Sequence, residues 1–273
     1  MSSHTATTGD RVMILRPLPV REGHPVQTGE DTRPAFEIFL ETQENAHPPY
    51  AVVLQAQHSQ LAGDLAHALR KEAFGGLVPE AIEAIRQHDF GWTESDMAQL
   101  QDVSRSAPRP FPALSAKETL PSWVACIRRA ENVSRLVGVL ISRHFCLLAG
   151  NDPERREFNY LETQRRQETE SRLPFPAEAL DRWTAALGFC DLLSLYLCSG
   201  ATEDAEFPLS HPADPTSRQA LKATLSWCGG ELRLSPALLE PNARLSLIAR
   251  EYQGSGRELG SRRFDWTIQT PQL

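Results

Sequence analysis

One order of residues constrains this chain more than its composition does: His58, then the adjacent His88 and Asp89, then His144, then Asp191. Each sits inside or at the end of an apolar stripe with helical spacing. An ionisable side chain on a core-facing stripe must find a partner or lose several kcal/mol of solvation. Imidazole and carboxylate hold divalent transition metals, and positions so far apart in sequence converge only if several helices bundle around them.

The local settings repeat the pattern. His58 follows Leu54 by four residues and precedes Leu61, Ala62 and Leu65, so the ring shares the buried face of its helix. His144 lies between Leu140 and Ile141 on one side and Leu147 and Leu148 on the other. Asp191 is flanked by Trp183, Leu187, Leu195 and Cys198, and an unpaired carboxylate there would face a dry core, so it needs a counter-ion. His88 and Asp89 end the string PEAIEAIRQHDFGW, where Gly91 supplies a helix stop and lets one helix end present two ligands. The plainer alternative is that these groups satisfy one another by hydrogen bonding with no ion.

The set resembles the HD-domain metal-dependent phosphohydrolases, whose ligands are a His, a His-Asp doublet and a later Asp; the matching positions are His58, His88 with Asp89, and Asp191. Trp92 stands where that superfamily usually has Lys after the doublet. More closely, QAQHSQLAGDLA, HDFGW, ISRHFCLLAG and DLLSLYLC resemble, in order, the bacterial domain-of-unknown-function family 3891, which spans nearly the whole of a chain this size and has no settled activity. The resemblance implies an HD-like helical core and a site for Fe, Mn, Zn or Mg, with His58, His88, Asp89 and Asp191 as ligands. His144 would ligate a second metal or give a proton to substrate. Glu94 is a candidate base and Arg143 a candidate anion holder, although ordinary salt bridges explain both. The leading expectation is hydrolysis of a phosphorylated small molecule or nucleotide. The alternatives are a di-iron oxygenase of HD-like type, and a non-catalytic ligand-binding protein that keeps a metal for stability.

Composition limits the partners. A formal charge of -7 argues against a broad nucleic-acid face, because phosphate contacts demand clustered Lys and Arg. Five cysteines with no CxxC pair sit mostly among apolar residues and read as reduced core residues of a cytoplasmic protein. The start, MSSHTATTGDRVMILRPLP, lacks a charged head before an apolar stretch. The most apolar helix, 133–149, carries Arg135, Arg143 and His144 and is too short to span a bilayer. A soluble protein with no membrane partner is expected.

The pattern along the chain predicts a disordered 1–10 and a single domain over 11–273. Within it, 51–199 forms the helical core, while 11–50 and 200–273 add strands and loops. RVMILRPLPV and AFEIFLET read as strands, and ELRLSP, ARLSLIAREY and RRFDWTIQTP have the alternation of antiparallel strands. The expected fold is therefore mainly α, an HD-like bundle flanked by a small antiparallel sheet built from both ends. A helix is expected from about residue 118 with Pro121 in its first turn, and others over 152–172 and 176–197. The stretch 93–117, with APRPFP, reads as a long loop that could lid the site. GSGRELG reads as a hairpin turn because its third Gly falls one position late for a dinucleotide motif.

Other candidates have bland readings. His4, His24, His47 and His211 lie in polar or Pro-rich segments. His67 falls about 180° from His58 at ~100° per residue, on the solvent side. Gln57 could support a ligand, and Asp64 reads as solvated. Trp92 reads equally as pocket wall or core, and Trp123 and Trp183 as core.

Overall fold

A helix that is apolar on nearly every side must be buried on nearly every side, and residues 183–199 form such a stretch. In the computed structural model, which describes residues 12–18, 32–47, 49–102, 109–110, 114–209, 221–228, 231–253 and 257–269, the helix at Ala177–Ser199 is the axis on which the histidine-bearing helices pack. In chain order the elements are β1 (Val12–Pro17), β2 (Arg33–Pro34), α1 (Ala35–Glu44), β3 (Tyr50–Val53), α2 (Gln55–Ala68), α3 (Pro79–Gln87), α4 (Thr93–Asp102), β4 (Arg109–Pro110), α5 (Ala116–Glu131), α6 (Arg135–Ala149), α7 (Arg156–Glu170), α8 (Ala177–Ser199), β5 (Ala205–Pro208), β6 (Lys222–Cys228), β7 (Glu231–Ser235), β8 (Ala243–Tyr252) and β9 (Glu258–Gln269). α8 packs against α2, α3 and α6, which carry the histidines, and against α1 and β1.

The expected mainly helical bundle with a small antiparallel sheet is not what forms. The described strands make one nine-stranded mixed sheet in the order β2-β5-β6-β7-β9-β8-β3-β1-β4, and the architecture is mixed α/β. Three neighbouring pairs, β1 with β4, β2 with β5 and β7 with β9, run parallel. The two ends of the chain meet at β3 and β8, with Tyr50 opposite Tyr252. Period-2 alternation marks a segment as a strand but is silent on how many strands join and in which direction, so an extensive mixed sheet had no local signal.

Two local readings also change. AFEIFLET is helix α1, because its buried Ala35, Ile38 and Phe39 fall at spacings of three and four. Part of the expected 93–117 loop is helix α4, with Glu94 and Asp96 favourably placed in its first turn; residues 103–108 and 111–113 lie outside the described residues. α5 begins before Pro121, since the Glu118 carboxylate accepts the Ser115 backbone N–H at 2.7 Å in a capping arrangement, and Pro121 falls inside the helix. The strands β8 and β9 on either side of GSGRELG are antiparallel, while 254–256 lie outside the described residues. The predicted disordered 1–10 also lies there.

The sheet is covered on both faces at β1. Ile14, Ala51 and Val53 join the main core, whereas Met13, Leu15, Tyr50, Val52 and Tyr252 form a second cluster with Leu100 of α4 packed against it. Beyond the short β4, the Gln43 side chain of α1 completes the edge: it accepts the Leu15 N–H at 2.7 Å and donates to the Leu15 carbonyl at 2.8 Å.

Two glycines set how closely the site helices approach. A Cβ on Gly63 would lie 2.6 Å from Arg86 Cβ, so its absence lets α2 and α3 close. A Cβ on Gly91 would fall 2.3 Å from the Cys126 backbone nitrogen, so the turn after α3 rests directly on α5. Gly188 of α8 is the opposite case, with nothing within 4 Å of an added Cβ. Gly91→Ala is therefore expected to cost about 3 kcal/mol or more through overpacking. Gly188→Ala is expected to gain about 1 kcal/mol and raise Tm by roughly 2–4 °C. Thermal melts that rank the two variants the other way would refute this packing argument.

Candidate metal centre and its cavity

His58 is presented by the first turns of α2, His88 and Asp89 by the end of α3, His144 by α6 and Asp191 by the middle of α8. All five are buried. His58, His88 and Asp191 each place one ligand atom within 4.8 Å of the others, a grouping that could hold a metal ion. Asp89 Oδ2 lies 2.7 Å from His58 Nε2 and 3.7 Å from His88 Nε2. Asp191 divides its oxygens: Oδ1 is 3.2 Å from His88 Nε2, and Oδ2 is 3.4 Å from His144 Nε2. The rings meet edge to face, His58 with His88 at 5.0 Å and His88 with His144 at 5.5 Å between centroids.

The surrounding hydrogen bonds assign the ring protons. Ser194 donates its hydroxyl to the Asp191 carbonyl at 2.8 Å, so toward His58 Nδ1, 2.9 Å away, it can only accept. His58 therefore carries its proton on Nδ1. His88 donates from Nδ1 to the Ile85 carbonyl at 2.8 Å. Ser59 lies 3.2 Å from the same nitrogen, donates to the Arg86 carbonyl, and accepts the Asp89 N–H at 3.3 Å. Both imidazoles are thus held by Nδ1 and turn Nε2 toward carboxylate oxygens, the orientation that serine and backbone supports give a metal-ligating histidine.

The electrostatics follow. Burial disfavours a charged His88, but the Asp89 charge and the Asp191 hydrogen bond outweigh it and carry the pKa up to about 9. Burial would likewise raise the Asp191 pKa, yet the His144 and His88 imidazoles hold that carboxyl far below the usual carboxylate range. Burial pushes the Cys126 and Cys190 thiols up, which disfavours the thiolate a nucleophile would need.

The cluster forms the polar end of a cavity of about 660 Å³, lined by His58, Asp89, His144 and Asp191 among largely apolar neighbours. Trp123, expected only as core, is buried and lines this cavity against Phe145, with ring centroids 5.0 Å apart. Trp92 lies in the core cluster and outside the cavity wall, and Trp183 is core as expected.

Several sequence candidates fall elsewhere. Glu94 is an exposed residue of α4 and does not line the cavity. Arg143 is held by Glu170 at 2.6 Å and Asp181 at 2.5 Å, also away from the cavity wall. Gln57 caps α2, accepting the Leu54 N–H and donating to the Ile248 carbonyl. Asp64 pairs with Arg86 at 3.0 Å, and His47 and His67 are exposed. His4, His24 and His211 lie outside the described residues.

Among the buried polar groups that sequence reasoning missed are Ser59, Ser194, Gln55 and Asp96. Ser59 adjoins a candidate ligand, and Ser194 is one turn beyond Asp191, a signal that could have found both. Asp96 on α4 accepts the Ala56 N–H at the start of α2 at 3.4 Å, and nothing periodic in its sequence marks it as buried.

A mixed α/β chain with a buried His and Asp cluster at the polar end of an apolar cavity is the class that fold and site define. Residues 42–249 match the family model described as Protein of unknown function (DUF3891), and the chain belongs to that family. No curated protein and no solved structure matches it. No helix among the described residues is long and apolar enough to cross a membrane.

Proposed function

We propose that this protein is a metal-dependent hydrolase of a small molecule, its divalent ion held by His58, His88, Asp89 and Asp191. One observation carries the reading: His58 Nε2 and His88 Nε2 lie 2.7 and 3.2 Å from oxygens of Asp89 and Asp191, so imidazole nitrogens and carboxylates converge on one buried point. In the metal-free protein a proton holds each such contact together, and a divalent ion would take its place. The donor set of two imidazoles and two carboxylates suits Fe, Mn or Zn, and the resemblance to HD-domain phosphohydrolases in ligand order supports the same assignment.

A bound divalent ion would supply Lewis acidity and a water of lowered pKa. The chain's own residues would do the rest. Ser59 and Ser194 fix the two rings, so little reorganisation is needed when a ligand enters. His144 Nε2 is buried, faces Asp191 Oδ2 at 3.4 Å, and its residue lines the cavity. That placement fits it to give a proton to a leaving group. The apolar walls would exclude bulk water from the reacting end.

The test is metal analysis of protein purified without tag or chelator, followed by reconstitution with Mn, Fe, Zn or Mg and assay against phosphomonoesters and carboxylic esters. Near-stoichiometric metal together with metal-dependent ester cleavage is the expected result; metal-free protein that no added ion stabilises would defeat the assignment. A second reading, a di-iron oxygenase, draws on the division of the Asp191 oxygens between His88 and His144, which would suit a carboxylate shared by two ions. Two irons per chain with oxygen uptake and no ester cleavage would favour it.

A further inference from the structure

The polar end of the cavity contains a group the metal reading leaves unused. Gln55, the first residue of α2, is fully buried and lines the cavity, yet neither its amide nitrogen nor its amide oxygen has a hydrogen-bond partner among the described residues. A buried amide left unmade costs the desolvation of both a donor and an acceptor. Its polar neighbours on the wall are already engaged: Thr184 donates to the Leu180 carbonyl at 2.7 Å, and Thr119 to the Ala116 carbonyl at 3.2 Å. Gln55 is thus placed to meet a ligand with both halves of its amide.

The charge of the wall narrows what that ligand is. Arg155 is the one Lys or Arg among the described lining residues; its Nη1 is paired with Asp152 at 2.7 Å, it lies over the Trp123 ring, and its Nε is left without a hydrogen-bond partner among the described residues. A divalent ion among Asp89 and Asp191 would leave that end near neutral, because two carboxylates cancel its charge. A phosphate dianion would enter a largely apolar cavity in which the single described guanidinium is already neutralised by Asp152. Resting on the metal assignment above, we infer that the site takes an uncharged, mainly apolar small molecule bearing one carboxylic amide or ester head. The head sits between Gln55 and the His/Asp cluster, and the body lies against Trp123, Phe145 and Leu192.

The open space at Gly188 provides the means of testing this. Gly188 lines the cavity and an added Cβ meets nothing within 4 Å, so Gly188→Leu would occupy ligand space without displacing protein atoms at its Cβ. The experiment is calorimetric titration of the metal-loaded full chain with 4-phenylbutanamide and, separately, with 4-phenylbutyl phosphate, with metal content measured on the same samples. The amide is expected to bind saturably and at least roughly tenfold more tightly than the phosphate. Gly188→Leu should weaken the amide by at least tenfold, and Gln55→Leu by roughly tenfold, the loss of about one buried hydrogen bond. Gly188→Ala, with unchanged metal content, controls for folding. Phosphate binding as tight as the amide, no saturable amide binding, or an affinity indifferent to Gly188→Leu in a folded protein would each overturn the inference. The two readings fail separately: metal-loaded protein that ignores the amide refutes the ligand class alone. Protein without metal that still binds the amide in a Gly188-sensitive way upholds the cavity assignment and refutes the metal centre.

Discussion

Asp191→Ala is expected to abolish metal binding and to destabilise the metal-free protein by about 3–5 kcal/mol, the usual cost of leaving a buried charge without its partner. The carboxylate lies within 4 Å of three imidazoles: His88 at 3.2 Å, His144 at 3.4 Å and His58 Nδ1 at 3.8 Å. Without an ion, it is the acceptor that lets His88 keep a proton in a buried site. With an ion, it is one of two anionic donors, and losing it should lower affinity by more than the roughly 10–100-fold typical of removing a mere support to a ligand. Asp191→Asn separates the two effects, since an amide preserves volume and hydrogen bonding while removing the charge. Asp64→Ala, which removes a half-exposed carboxylate paired with Arg86, is the control and should leave both metal content and stability nearly unchanged. Elemental analysis and denaturant unfolding of the three variants read the outcome. Metal content in Asp191→Ala equal to that of the parent would exclude Asp191 from the centre.

The cluster was legible because burial of ionisable groups leaves a trace in local periodicity. His58, His144 and Asp191 each interrupt an apolar stripe at a position that turns inward, and α2, α6 and α8 place them there. The His88 and Asp89 pair was readable from the end of α3 for the same reason. The sheet left no comparable trace. β2 consists of Arg33 and Pro34 and owes its existence to parallel pairing with Ala205 and Glu206, some 170 residues away, a partnership no window of the sequence can contain. α1 was misread because Phe36, Ile38 and Leu40 alternate as in a strand, while Ala35, Ile38 and Phe39 are the residues that reach the core. Gly63 and Gly91 look alike as letters, and only the approach of Arg86 and Cys126 shows why each lacks a side chain. Gln55 was invisible for a different reason: its burial depends on what lines the cavity around it, which includes residues from α1, α5, α6 and α8.

The second large effect concerns Asp96, and it appears as a dependence of stability on pH. Asp96 is 1% exposed. Burial raises its pKa from 3.8 to about 7; the backbone N–H of Ala56 pulls the other way, and the charge on Asp89 adds to the rise. Because the folded-state pKa is the higher one, the folded protein holds a proton that the unfolded chain releases. Its contribution is fully present below the unfolded-state value and is lost as pH rises through about 7. By pH 8 the loss should reach about 4 kcal/mol at most. Asp96→Asn keeps an oxygen to accept the Ala56 N–H but cannot ionise, so its unfolding free energy should lack this part of the slope. The expected result is two proteins of similar stability near pH 4 that diverge between about pH 4 and 7 and run parallel above that, with the asparagine variant the more stable at pH 8. Denaturant midpoints at pH 4, 5, 6, 7 and 8 on metal-free protein measure the difference, and other titrating groups cancel because both proteins carry them. Parallel curves across that range would mean that Asp96 is ionised throughout, with its charge held by the N-terminus of α2, the helix that presents Gln55 and His58.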